Sequence, residues 1–295
     1  MRSEPMQIFA AGDLVTSQPN LTGDPSNVMN ALRGHIERLE NNLPKLDQRH
    51  IRSLPWDFGI PDVDGHLASN GLIRYGLHDV SPKAYGDVPA AMRVALAMAL
   101  RRLRDPAERR PLLWCRLARE VREYGNLYGH GVEFMGLPRH RFVTVTLKRP
   151  TDILWVTEEA LRSGALALVI SDADPKHTNF TATRRLSLAA HAGKSAGLMV
   201  FAMPHSGATA SHTRWIAAAA RSQPPPYDIH APGAPAWNLE LTRARGGRPG
   251  AWILEWEYAA RCFNLVSKLR SGEIHARADE AGEISATQRS TLRTG

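Results

Sequence analysis

Three short runs of uninterrupted apolar residues fix most of what this chain can become. They are residues 112–115 (Leu112, Leu113, Trp114, Cys115), 166–170 (Leu166, Ala167, Leu168, Val169, Ile170) and 198–201 (Leu198, Met199, Val200, Phe201). A strand covered on both faces is apolar at every position, whereas a strand with one wet face alternates. Helical periodicity separates the runs. Residues 89–103 carry Ala91, Val94, Ala95, Met98 and Ala99 on one side and Arg93, Arg101, Arg102 and Arg104 on the other, and the basic face from Arg93 to Lys148 reads in part as a solvated helix surface. Residues 151–163 and 181–192 are further helices, closed by Gly164 and Gly193. Residues 77–80 and 141–147 read as additional strands. This alternation predicts an α/β fold: a mainly parallel sheet with helices on both faces.

The pattern changes after Met203. Residues 204–211 are small and polar, 213–218 read as a strand, and 223–235, with Pro224, Pro225 and Pro226, as a loop. Two alternating strands follow. Leu239, Leu241, Arg243 and Arg245 are expected on one face of the first, and Trp252, Leu254 and Trp256 on one face of the second. Gly246, Gly247 and Gly250 mark the turn of a C-terminal antiparallel hairpin. The reading divides the chain in three. Residues 1–50 are an N-terminal extension with one amphipathic helix after Ser26, striped by Val28, Leu32, Ile36, Leu39 and Leu43 and ended by Pro44. Residues 51–258 form the core. Residues 259–295 continue as a helix through Leu269 and then as a polar tail without aromatics, expected to be disordered.

Composition narrows the function classes. The 295 residues include 37 Lys+Arg against 29 Asp+Glu, a net charge of +8. Only six of those cations are lysine. The excess suits a polyanionic partner, and an arginine-rich proteome would produce it as well. No apolar run approaches the ~18 residues a membrane span needs, and the opening residues have no secretory h-region. Cys115 and Cys262 form neither a disulfide framework nor a zinc-ligand spacing. A reducing cytoplasm is the expected location.

The most informative stretch is 59–99. Gly59, Asp64, Leu67, Gly71 and Leu72 precede the strand 77–80, a loop and a helix. Strand, loop, helix is where a phosphate-binding loop sits. The order resembles the RecA-type ATPase core, in which a Gly, Asp, Gly-Gly-Leu segment precedes this strand and an acidic residue occupies the place of Asp79. The loop itself has lost its chemistry. A phosphate loop needs glycines to aim backbone N–H groups at oxygens, a lysine for the terminal phosphates and a Ser/Thr for Mg²⁺. This loop reads Ser81, Pro82, Lys83, Ala84, Tyr85, Gly86, Asp87, Val88, Pro89. Counted without a gap, Val88 takes the lysine position and Pro89 the Ser/Thr position. With one residue deleted, Gly86 matches the last glycine and Asp87 replaces the lysine. Pro82 and Pro89 lack N–H groups, and Lys83 stands at the wrong offset. Arg116 follows one strand where the resemblance calls for a catalytic Glu. Ser171 follows another in place of the Mg²⁺-associated Asp, with Asp172 on the opposite face. Met203 and Pro204 stand where a phosphate-sensing Gln belongs. The expectation is a RecA-like fold with a degenerate phosphate loop, no catalytic residue, no ATP hydrolysis, no metal and no cofactor.

Taken in order, several segments resemble the ImuA family, the RecA/SulA-like accessory proteins of bacterial damage-induced mutagenesis cassettes. They are Phe58, Gly59, Ile60, Pro61 with Asp62 and Asp64; Gly71, Leu72 with Leu77, His78, Asp79, Val80; Pro111, Leu112, Leu113, Trp114; Glu158, Glu159, Ala160, Leu161, Arg162; Thr183, Arg184, Arg185, Leu186; Thr213, Arg214, Trp215; and the arginine-glycine hairpin from Arg243 to Gly250 with Glu255 and Trp256. Tyr75 departs from the glycine usual there. The resemblance implies a non-catalytic accessory factor in SOS-induced translesion DNA synthesis. Its implied partners are an ImuB-like inactive Y-family polymerase homologue and an error-prone C-family DNA polymerase, with RecA and single-stranded DNA as further candidates. The positions corresponding to RecA-type DNA loops are 172–180, with Lys176 and His177, and 204–212, followed by Arg214. Further candidates for DNA or a partner are Arg184 and Arg185, the strand pair Arg243 and Arg245, and Arg248 in the turn. The plain alternative makes these a solvated surface, with the strand pair opposite Glu255 or Glu257. A SulA-like cell-division inhibitor and an active RecA-type DNA-dependent ATPase remain as other functions.

Overall fold

The computed structural model describes residues 7–10, 30, 34, 54–225, 228 and 230–269. The N-terminal amphipathic helix, except for Asn30 and Gly34 (both helical), and the tail beyond Leu269 lie outside the described residues.

Among the described residues ten strands form one mixed sheet. They are β1 (Gln7–Ala10), β2 (Leu77–Pro82), β3 (Leu112–Leu117), β4 (Phe142–Leu147), β5 (Leu168–Ala173), β6 (Ala196–Phe201), β7 (Thr213–Ala220), β8 (Ala236–Ala244), β9 (Gly250–Glu257) and β10 (Cys262–Leu269). Their order is β1-β4-β3-β5-β6-β2-β7-β8-β9-β10. From β4 to β7 every pairing is parallel, and β1 and the β7-to-β10 extension pair antiparallel. The apolar runs are β3, β5 and β6, and all their residues are buried. Three longer helices cover the sheet: α1 (Val88–Leu103), α2 (Pro150–Arg162) and α3 (Phe180–Ala192).

The pleat sends alternate residues into two apolar layers. On one face Val80, Trp114, Ile170, Leu198, Trp215, Leu239 and Leu254 meet α1 and the 56–72 segment. On the other, Leu77, Leu113, Cys115, Val169 and Met199 meet α2 and α3. The alanines of α1 let it lie close to the sheet, and it is buried nearly all round. The basic face of α1 is in part solvated, as expected: Arg104 is exposed and Arg93 half-buried, while two of its arginines turn inward. Arg101 and Arg102 are buried and ion-paired with Asp57 and Glu108, each at 2.6 Å. The 56–72 segment closes on itself through Asp64, whose carboxylate accepts from the Phe58 and Ile60 N–H groups at 2.8 and 2.9 Å. Trp56 donates to the Met98 carbonyl of α1 at 2.8 Å.

Two expectations at the C-terminal end are overturned. The helix through Leu269 is instead β10, paired antiparallel with β9. A bulge between Leu265 and Ser267 adds one residue, so the apolar positions Phe263, Val266 and Leu269 fall at a helix-like spacing although Phe263 packs into the sheet core. The second correction concerns Arg243. A bulge opposite Arg214 and Trp215 pairs Arg214 with Arg243 but Trp215 with Leu241. Arg243 therefore leaves the Leu239 and Leu241 face and joins the face of Asp79 and Arg214.

Candidate functional site

Open α/β sheets bind ligands in a crevice outside the carboxyl ends of their strands. Here that edge holds a cavity of about 450 Å³, bounded by Tyr85 after β2, Glu120 and Glu123 after β3, Asp174 and Lys176 after β5, and Met203 after β6.

The turn after β2 decides what the crevice can hold. The ladder with β7 runs on through Lys83, whose N–H donates to the Ala217 carbonyl at 3.0 Å. A single 3-10 turn, Tyr85–Asp87, then leads into α1. Asp87 folds back into this turn. Its carboxylate accepts from the Ala84 N–H at 3.1 Å and from the Ala219 N–H of β7 at 3.0 Å. The chain's own anion thus takes one backbone donor of this turn, the Ala84 N–H, and ties the turn to β7 through the Ala219 N–H. A Cβ at Gly86 would meet no atom within 4 Å, so no close approach requires that glycine. Val88 is buried in the core, and Pro82 closes β2.

Across the crevice the Arg119 guanidinium bridges Glu120 and Asp174, each at 2.7 Å. Tyr85 donates its hydroxyl to Glu123 at 2.9 Å. Burial works to raise the Asp174 carboxyl, but the Lys176 N–H and Arg119 outweigh it and hold the group below the usual carboxylate range. Three carboxylates thus face two cations, Arg119 and Lys176, and the excess repels a polyphosphate. Among the described residues no group of three His, Cys, Asp or Glu side chains converges as a metal site. Burial pushes the Cys115 thiol up to about 12, which leaves it inert as a nucleophile.

Behind the crevice lies a buried hub. Asp79 is fully buried in β2, where Thr209 and Ser211 donate their hydroxyls to its carboxylate and Arg214 stands 3.5 Å away. Burial pushes its carboxyl up against these partners. Arg214 also donates to the Gly207 carbonyl at 2.5 Å. Arg243 donates to the carbonyls of Ser211 and Thr209 at 2.7 and 2.9 Å, and burial lowers its pKa. Arg245 reaches the Ala210 carbonyl at 3.3 Å. Three of the sequence-derived candidates therefore pin the 204–212 segment to the sheet.

The others are spread over the surface. Lys176 is exposed at the crevice, and Arg184 is exposed on α3. Arg185 pairs with Glu158 at 2.6 Å and ties α3 to α2. Arg248 is exposed in the hairpin turn, its N–H donating to the His66 carbonyl at 3.0 Å. Asp172 is spoken for, accepting from Trp114 Nε1 and Arg116 Nε at 3.0 Å and from the Leu117 N–H at 2.9 Å. Sequence reasoning missed the Arg119, Glu120 and Asp174 triad; its one local signal was an aspartate followed by Pro175 at a strand end.

No family model matches the chain. Protein ImuA of Caulobacter vibrioides (strain NA1000 / CB15N) is 32% identical over 232 residues, which cover 74% of this chain and 91% of that protein. Protein ImuA of a second strain, ATCC 19089 / CIP 103742 / CB 15, matches with the same figures.

Proposed function

The chain belongs to the ImuA family, and on that premise we propose a non-catalytic accessory factor of SOS-induced translesion DNA synthesis. It works by protein contacts with an ImuB-like inactive Y-family homologue and an error-prone C-family polymerase, in the cytoplasm. Its core is a RecA-like scaffold whose phosphate loop has degenerated. The position of β2 inside the parallel set and the crevice at its carboxyl end support that reading. Among the described residues no helix is long and apolar enough to cross a membrane.

The observation that carries the proposal is Asp87, a carboxylate hydrogen-bonded in the turn where a nucleotide's phosphates would need donors. Nucleotide binding there requires displacing that anion, and the one cation of the loop, Lys83, stands at the wrong offset to replace it. The rim of the crevice offers exposed Tyr85 and Met203 beside its carboxylates, a surface suited to an apolar, basic segment of a partner.

The test is co-purification of the full chain with an ImuB-like protein from the same genome, with and without Mg·ATP and in EDTA. The complex is expected to form equally in all three conditions. A complex that needs Mg·ATP, or none in any condition, overturns the proposal.

A further inference from the structure

Between β3 and β4 the chain crosses the outside of the α1 layer and is anchored there by the buried Val132, Met135 and Leu137. A helix held by its inner side ordinarily shows polar side chains to water. The helix Gly129–Phe134 and the residue before it instead present Tyr128 at 71% exposure and Phe134 at 69%, the two most exposed large apolar side chains among the described residues. Both belong to a row of rings. Tyr128 lies 5.3 Å from the His130 imidazole, and Phe134 lies 4.9 Å from Tyr258 in the turn after β9. His130 and Phe134 are one helical turn apart and share a side.

Guanidinium groups border the row. Arg93 of α1 donates to the Tyr258 hydroxyl at 2.8 Å, and Arg139 meets His130 Nδ1 at 2.5 Å. The Arg261 side chain lies across Gly136, whose φ of +108° and crowded Cβ position admit only glycine. Arg139 is neutralised by Glu133 at 2.7 Å. Arg93 has a neutral hydroxyl for its partner, and among the described residues no carboxylate lies within ion-pair distance of Arg93 or Arg261.

Exposed rings beside uncompensated guanidiniums fit a flexible polyanion that carries its own flat groups. We infer that this row is a surface for single-stranded nucleic acid, with bases stacking on Tyr128 and Phe134 and phosphates meeting Arg93 and Arg261. A duplex keeps its bases stacked on one another and cannot use the rings in this way. The surface shares no residue with the crevice, and the inference holds whether or not the docking role proposed there does.

The test is fluorescence anisotropy of a short fluorescein-labelled oligothymidylate titrated with the full chain at low salt. Binding that weakens as salt is added is expected. Phe134→Ala and Tyr128→Ala should each weaken it about tenfold, while Phe134→Tyr, which keeps a stacking face, should retain it. Arg93→Ala and Arg261→Ala should each flatten the dependence of log K on log salt by about 0.7. Lys176→Ala and Arg184→Ala should change nothing. No binding at low salt overturns the inference, as does binding by both aromatic-to-alanine variants that is as tight as the parent's. It is also overturned if Phe134→Ala abolishes capture of a protein partner and leaves the oligonucleotide titration untouched, which would make the row a protein interface.

Discussion

Replacing Asp79 by alanine should be among the most damaging single changes in the sheet. The carboxylate is fully buried and accepts from the Thr209 and Ser211 hydroxyls, with the Arg214 guanidinium 3.5 Å away. Alanine leaves both hydroxyls without that acceptor and leaves Arg214 and Arg243 without a nearby carboxylate. Removing one partner of a buried charge pair costs about 3–5 kcal/mol. Asparagine keeps an acceptor and removes the desolvated charge, so its loss should be smaller, about 1–2 kcal/mol, in the range of a neutral hydrogen-bond substitution. Urea unfolding followed by fluorescence of the buried Trp56 and Trp215 measures both. Proteolysis between β6 and β7 should quicken in the alanine variant, because the 204–212 segment loses its main tether. A pH profile adds a sign. Burial raises the Asp79 carboxyl, so the folded chain holds that proton more tightly than the unfolded chain. Its contribution therefore falls as pH rises from the ordinary carboxylate range through the raised value, and Asp79→Asn should lose this trend. An alanine variant within about 1 kcal/mol of the parent, or an asparagine variant less stable than the alanine one, would refute the hub.

Asp87→Ala should cost about 1–2 kcal/mol, since it removes two backbone hydrogen bonds at a helix start, and should create no nucleotide binding; calorimetry reads both. Burial holds the His78 imidazole down at about 4, below its ordinary 6.5. The unfolded chain therefore binds more protons between those values, and stability should fall by roughly 3 kcal/mol as pH drops through that window. His78→Asn should flatten this part of the profile. Gly193→Ala should destabilise by about 2 kcal/mol or more, because a Cβ there would run into the Leu161 carbonyl at the end of α2, and the loss should appear as a lowered urea midpoint.

The parallel core was legible because strands wet on neither face have a signature no surface element shares. β3, β5 and β6 stand where the apolar runs stand. The bulges were not legible, since one inserted residue in β10 and another in β8 shift periodicity without changing composition. Charge misled for a related reason. Arg101, Arg102, Arg214 and Arg243 look like surface residues in the sequence, and each is bound inward by partners brought to it by the fold. The residues of the turn after β2 could be read directly from the sequence, but the two backbone groups that Asp87 binds could not. The aromatic row was beyond reach, because Tyr258 meets Phe134 and Arg93 only once the fold has brought the turn after β9 beside them.

Titration calorimetry of Mg·ATP into the full chain, paired with a phosphate-release assay, tests the central claim most directly. No saturable heat and no turnover above background are predicted, with or without single-stranded DNA. Saturable binding or turnover that disappears in Lys83→Ala would contradict it.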